Sequence, residues 1–460
     1  ARGWLEPSAG RGSIALAAER FTFDRIDSIL RDSVVIDYDK TAIGGQLQLE
    51  LGDGRLGFDG TLELSGATVF HPMLAAKPVT GIDARGWVQG SFDSRTRALR
   101  VDTAEMQLRG VDYRLSGALH LPGGLDSDSG ETRAQPRLSA RLVIPPLPCQ
   151  RMLQGIPAAM MPYVTGYRLK GTFDADVRTN IDWADLQAST LDGAIGIFGC
   201  KVIDEPEADA ETGVLRLQES FTHYVEVEED QWIDFVIGPD NEDFVPIWDV
   251  SHHLTDSLMT TEDSRFYKHR GFIVREFRTA LISNLEAGYF RFGASSITMQ
   301  TVKNVLLYRE KTLSRKLQEL FLTWHLENRL DKDRIFEIYL NAIEYGPGLY
   351  GIGPAARHYF GKHPRDLNPV EAAFFSSILP SPKRRYRQYC DDKLTRWGRS
   401  KIARVLKTMH KRGRLTDEEY EIAAVTPLVF DRTEAPPQRE CRRMIKRAIK
   451  NARPTNPMAR

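Results

Sequence analysis

The chain has 460 residues, a length that suits roughly two to four domains, and its 42% hydrophobic content is enough for ordinary packed cores. Lysine plus arginine equals aspartate plus glutamate at 62 each, which excludes a nucleic-acid binder that works through overall positive charge. No run of about 18 apolar residues occurs, and the first residues lack a charged-then-apolar leader pattern. Residues 1 to about 203 read as β structure. Gln46 to Leu51 alternates, with Leu47, Leu49 and Leu51 on one side. Short strands then recur behind glycines at Gly60–Leu64, Gly90–Asp93, Gly117–Leu121, Gly171–Val177 and Gly193–Ile197. Pro122 to Pro136, rich in Gly, Ser and Asp, reads as a loop, and Met152 to Val164 as a short apolar helical insert.

This first part resembles the AsmA-like domains of envelope proteins. The resemblance implies an antiparallel sheet with an apolar trough able to shelter acyl chains; a plain sheet serving as a spacer fits the same pattern. Residues 204–244 read as an acidic linker with short strands at Val225–Val227 and Trp232–Ile237. A helix is expected from Ser251 as N-cap, with Leu254 and Leu258 setting one face and Glu262 near its C-terminal end. There the negative end of the helix dipole, with Phe266 and Tyr267 a turn further on, would disfavour an ionised carboxylate and suit acid–base work. A solvated Glu-Asp pair closing a helix is the plainer alternative for Glu262 and Asp263.

The stretch Ser295 to Leu307 predicts a capped helix with two unlike faces. Ser296, Gln300 and Lys303 share one face, while Ile297, Val302, Val305 and Leu306 lie on the other. From Thr312 as N-cap, Leu313, Leu317, Leu320, Phe321 and Trp324 are expected to be buried, with Arg315, Lys316 and Glu319 on the exposed side. By themselves Arg315 and Glu319 could be a surface ion pair worth about 0.3–0.5 kcal/mol.

Five ordered blocks carry a second, closer resemblance. They are Glu262-Asp263…Phe266…His269-Arg270-Gly271; Gly293-Ala294-Ser295-Ser296-Ile297-Thr298-Met299-Gln300…Lys303-Asn304; Arg315-Lys316-Leu317-Gln318-Glu319; Lys332 to Asn341; and Gly348 to Lys362. From about Val245 to about Tyr386 the chain resembles the peptidoglycan glycosyltransferases of family 51. The resemblance implies polymerisation of lipid II. Glu262 would be the general base on the acceptor hydroxyl, and Glu319 would steady the leaving diphosphate or the charge developing on the sugar. It implies substrate binding by His269, Ser296, Gln300, Lys303, Asn304, Arg315 and Lys316, the cations gripping the diphosphate. A divalent cation, Mg²⁺ or Mn²⁺, is the cofactor it allows, carried by Asp263; no organic cofactor is expected. The chain departs from the family at Ser295-Ser296, at Met299, expected to pack inward, and at Ile273, where many members have Asp.

Asn368-Pro369-Val370-Glu371 and Thr416-Asp417-Glu418-Glu419 are capping signatures. Lys393 to Arg414 is a basic amphipathic segment, either a solvated helix face or one leaning on anionic lipid. Residues 433–460 read as a poorly ordered basic tail. Cys149 with Cys200 and Cys390 with Cys441 could form within-domain disulfides in an oxidising periplasm or stay as free buried thiols. No penicillin-binding serine motif follows, so no transpeptidase half is expected.

The fold class expected is α+β multidomain: an AsmA-like antiparallel β domain (1–203), the acidic linker (204–244), a mainly helical, lysozyme-like glycosyltransferase domain (245–432) and the basic tail (433–460). The expected partners are lipid II, the nascent glycan strand, the membrane surface and other cell-wall synthesis proteins, with no nucleic acid. The expected place is the periplasmic face of the bacterial inner membrane; the chain opens at Ala1 rather than a start methionine, and the anchor that relatives carry lies outside it. Phe272 to Leu285 is the apolar stretch expected to lean on the membrane or to pack in the core. A non-catalytic carrier that binds and presents lipid-linked precursor through its β domain is the alternative, and a lysozyme-like hydrolase a third.

Overall fold

The computed structural model describes residues 2–26, 30, 33–125, 130–206, 213–228, 231–287, 295–307 and 312–451. It divides into two units: Ala1–Pro206 with Val274–Ala294 and Lys311–Leu317, and Glu207–Ile273 with Ser295–Glu310 and Gln318–Arg460. The helices in chain order are α1 (Cys149–Gly155), α2 (His252–Thr261), α3 (Val274–Ala287), α4 (Ile297–Val305), α5 (Leu313–Arg329), α6 (Lys332–Ala342) and α7 (Ile352–Phe360). They continue as α8 (Pro369–Ile378), α9 (Pro382–Arg385), α10 (Arg387–Cys390), α11 (Arg396–Lys411), α12 (Asp417–Val425) and α13 (Gln438–Asn451). Among the described residues no helix is long and apolar enough to cross a membrane.

The first unit is built on one antiparallel sheet of ten strands in sequence order. They are β1 (Arg2–Glu6), β2 (Arg11–Thr22), β3 (Ala42–Gly52), β4 (Arg55–Val69), β5 (Val79–Asp93), β6 (Ala98–Leu108), β7 (Val111–His120), β8 (Arg137–Pro148), β9 (Arg168–Asp182) and β10 (Thr190–Asp204). Register sorts the side chains by face. From β2 to β10, Leu16, Leu47, Gly60, Val88, Ala104, Leu115, Leu142, Val177 and Gly193 lie opposite one another. The row Leu51, Leu56, Phe92, Leu99, Leu119, Leu138, Ile181 shares that face. The opposite face carries Glu50, Ser91, Arg100, Ser139 and Asn180. Glycines in the apolar rows loosen the alternation read from sequence; a Cβ on Gly90 would lie 2.5 Å from the Phe58 ring, which covers it.

Val111, Ile144 and Ala175 form a buried cluster with Tyr113, Leu147, Met152 and Phe173 packed on it. The Cys149–Cys200 disulfide ties α1 to β10. Two stretches inside the expected glycosyltransferase range group with the sheet instead. In the first, Arg278 of α3 donates to the carbonyls of Gln187 and Ser189, at 3.0 and 2.8 Å. In the second, Ser314 at the start of α5 donates to Met160 O at 2.8 Å. Of the Phe272–Leu285 stretch, Ile282 is buried; the side chains of Val274, Phe277 and Leu281 lie outside the described residues, as do Gly293 and Ala294.

The second unit is helical around α8, whose residues from Val370 to Ile378 are all buried, as suits a core helix apolar on most sides. Its N-terminus has the expected capping box of Asn368 and Glu371. Leu254 and Leu258 of α2 are fully buried, and Ser257 Oγ bonds Ser376 Oγ of α8 at 2.7 Å. The acidic stretch expected as a linker belongs to this unit. It forms the hairpin β11 (Phe221–Glu228) and β12 (Gln231–Ile237), and Arg334 of α6 donates to the carbonyls of Leu217 and Glu219. The expectation of a poorly ordered tail fails over Gln438–Asn451, which is the helix α13. Ile445 and Cys441 are buried there, and a disulfide joins Cys441 to Cys390. Polar composition hid this helix, since only a narrow stripe of it is apolar.

Candidate active site

The site grows from the end of α2. Glu262 closes that helix, its N–H donating to Leu258 O at 2.8 Å, so the carboxylate sits at the carbonyl end as expected. Ser251 starts the helix without a side-chain cap bond, because its hydroxyl donates to Leu367 O at 2.8 Å instead. Glu262 is half-buried and accepts from Gln300 Nε2 at 3.0 Å. Gln300 lies on α4, and that single amide orients the carboxylate.

Asp263 does a different job. Its side chain is fully buried, His269 Nε2 lies 2.9 Å from both of its oxygens, and Ile297 N donates to Oδ2 at 3.2 Å. The carboxylate therefore sits at the N-terminus of α4, where backbone donors lack helical partners and negative charge is favoured. Ser296 completes the joint: its hydroxyl accepts from Met299 N at 3.1 Å as an N-cap and donates to Gly271 O at 2.6 Å. Gly271 has φ +83°, and a Cβ there would lie 2.7 Å from Thr323 Cγ2 of α5, so only glycine fits.

Helix α5 inverts the sequence-based reading of its faces. Leu313 is 46% exposed and Leu317, Leu320, Phe321 and Trp324 are half-buried, whereas Gln318, Glu319, Thr323 and His325 are buried. Polar residues share this interior with the fully buried Leu322 and Leu326 because part of the face meets polar groups: Thr298 of α4 donates to Glu327, and Lys332 Nζ pairs with Glu327 at 2.6 Å. Glu319, Thr323 and Glu327 stand four residues apart, so Glu319, expected on the exposed side, lies on the α5 face that Gly271 and Thr298 meet.

The helix α4 thus joins the predicted residues unequally. Gln300 reaches Glu262; Lys303 is half-buried and Asn304 exposed, on turns following Gln300. Ser296, His269 and Asp263 are engaged in holding α4 to the segment after α2. Arg315 and Lys316, half-buried on the first turn of α5, lie in the stretch that groups with the sheet, with Arg315 N bonded to Thr312 Oγ1 at 3.1 Å. Met299 is fully buried, as its thioether suggested. Tyr267 turns away, its hydroxyl donating to Asp333 at 2.8 Å, while Phe266 packs edge-on to Phe336.

The sequence reading passed over Tyr339, Thr323 and Glu327. Tyr339 is fully buried with a hydroxyl that has no hydrogen-bond partner among the described residues; burial first, and then the charges of Glu262 and Asp263, hold it protonated well above the usual phenol range. Its place within Lys332–Asn341 was the available signal. The carboxylate of Asp263, the expected cation carrier, is engaged by protein donors. Its oxygens are taken up by His269 and Ile297, and it belongs to no cluster of three His, Cys, Asp or Glu side chains among the described residues.

Residues 230–410 match the family described as Transglycosylase. A biosynthetic peptidoglycan transglycosylase of Nitrosomonas eutropha is 45% identical over 134 residues, 29% of this chain and 55% of that one, so the chain spans about half of that relative. A protein of the same name from Acinetobacter baumannii is 34% identical over 189 residues, 40% of this chain and 83% of that one. Penicillin-binding protein 1A of Aquifex aeolicus is 38% identical over 192 residues, 42% of this chain and 26% of that one. With 83% of the Acinetobacter relative matched and the family match over residues 230–410 containing Glu262, Gln300 and Glu319, this chain belongs to the transglycosylase family of the biosynthetic peptidoglycan transglycosylases.

Proposed function

We propose that the chain polymerises lipid II into glycan strands at the periplasmic face of the inner membrane, releasing undecaprenyl diphosphate. The observation that carries the reading is Glu262, a half-buried carboxylate at a helix terminus oriented by Gln300 at 3.0 Å. Glu262 takes the proton from the acceptor's 4-hydroxyl as its oxygen forms a bond to C1 of the donor sugar. The C1–diphosphate bond breaks with inversion, and the electron pair leaves with the diphosphate. Lys303, Arg315 and Lys316 meet that charge, while Glu319 stabilises the cationic sugar. Asp263 and His269 position α4. The reading includes a lysozyme-like character for the helical core. The test is Glu262→Gln: polymerisation of lipid II should fall by about 100- to 10,000-fold while lipid II binding persists. Unchanged polymerisation removes the base from Glu262.

The sheet supports a second reading beside the first. Its apolar rows leave Leu62 41%, Met106 44% and Ile195 62% exposed, an apolar surface of the kind that marks lipid or protein contact. We infer an AsmA-like role, holding acyl or prenyl chains against this face. Photo-crosslinking from Leu62 or Met106 to a lipid diazirine probe tests it; labelling no stronger than from Glu50, on the opposite face, would remove the role.

A further inference from the structure

We propose that α13 is a docking face for anionic membrane, with acidic phospholipid headgroups as its occupant. At 100° per residue, Arg439, Arg443, Lys446 and Lys450 fall within an arc of about 60° and form one stripe about 17 Å long. All four are exposed. Glu440 is the helix's only acid. The opposite face holds the helix to its unit: Cys441 and Ile445 are buried, and the Cys390–Cys441 disulfide pins the first turn. Arg442 and Gln438 both bond Asp391 Oδ1, at 2.7 and 3.1 Å, so Arg442 is occupied in anchoring and does not join the stripe. The helix is therefore fixed inward and its cations are aimed outward.

Charge and shape choose the occupant. The chain is neutral overall, 62 against 62, so four cations on one face are a local feature rather than a share of general basicity. A straight, convex stripe offers no pocket for a single anion and no aromatic ring on its arc to stack a base, which a nucleic acid would use. A plane of phosphates needs only matching charge density, and each Lys or Arg near such a surface contributes about fivefold to affinity. Helix α11 of the same unit also carries Arg396, Arg399, Arg404, Lys407 and Lys411, all exposed and with no acid within the helix. The inference is independent of the catalytic role of Glu262.

The experiment is vesicle co-sedimentation of the whole chain and of the double variant Arg443→Gln/Lys446→Gln, whose unchanged circular dichroism and melting confirm its fold. With phosphatidylglycerol–phosphatidylcholine vesicles the variant should bind roughly 25-fold more weakly, and binding of the wild type should fall steeply between 50 and 300 mM salt, roughly the range in which the Debye length shrinks below 10 Å. With pure phosphatidylcholine the two should be equal, since that background reports apolar surfaces elsewhere. Equal binding of both proteins to the anionic vesicles overturns the proposal. So does heparin binding that is as tight as vesicle binding and equally lost in the variant, because the occupant would then be a soluble polyanion.

Discussion

Replacing Asp263 by alanine tests the joint that places α4. The carboxylate faces His269 Nε2 at 2.9 Å and accepts from Ile297 N at 3.2 Å, and it is fully buried. Without it, the imidazole loses its partner at a ring whose Nδ1 has none among the described residues, and Ile297 N–H loses its acceptor. Each buried donor left unpaired costs about 1–3 kcal/mol, so the joint should weaken by about 3–5 kcal/mol. Guanidinium unfolding followed by tryptophan fluorescence measures the loss. Asp263→Asn, which keeps an acceptor for Ile297, should lose about half as much. A loss for Asp263→Ala below about 1 kcal/mol would refute the reasoning, since it would mean that α4 is held by its apolar face alone. Polymerisation by the folded fraction should also fall, through displacement of Gln300 from Glu262.

Gly271→Ala combines positive φ with a Cβ 2.7 Å from Thr323 Cγ2 and should cost about 2–4 kcal/mol. Adding Thr323→Ala should recover about half of that in the same unfolding assay, and no recovery would place the strain in the backbone alone. Met299→Gln, which restores the amide common in the family, puts a polar group into a fully buried site and should cost about 1–3 kcal/mol while leaving activity per folded molecule unchanged. Burial, and then Arg432, holds His358 below the usual imidazole range. The unfolded chain therefore binds this proton more readily, so stability is complete above about pH 6.5 and falls as pH drops through that value. His358→Gln should flatten the change in denaturation midpoint between pH 7.5 and 5.5.

Local chemistry was legible where one segment's own residues decide the outcome. The position of Glu262 at a helix end, the capping boxes at Asn368 and Thr416 and the inward packing of Met299 all follow from spacing. What failed depended on partners outside the segment being read. The α5 faces were inverted because Glu327 is matched by Thr298 and Lys332, which no periodicity within α5 reveals. Ser296 looked available by helical geometry, yet Gly271 takes its hydrogen. The strands around Gly60 and Gly90 were legible, but the continuity of the apolar rows required the register of all ten.

The turn at Leu215–Gln218 that leads into the β11–β12 hairpin changes where the helical unit can be cut. Beginning a fragment at Val245, where the family likeness starts, would strip Arg334 of the Leu217 and Glu219 carbonyls and remove Gln218 from the Arg329 carbonyl that ends α5. The helix that carries Glu319 would then fray from its C-terminal turn. Low yield of such a trimmed protein would report a missing clasp rather than a weak core.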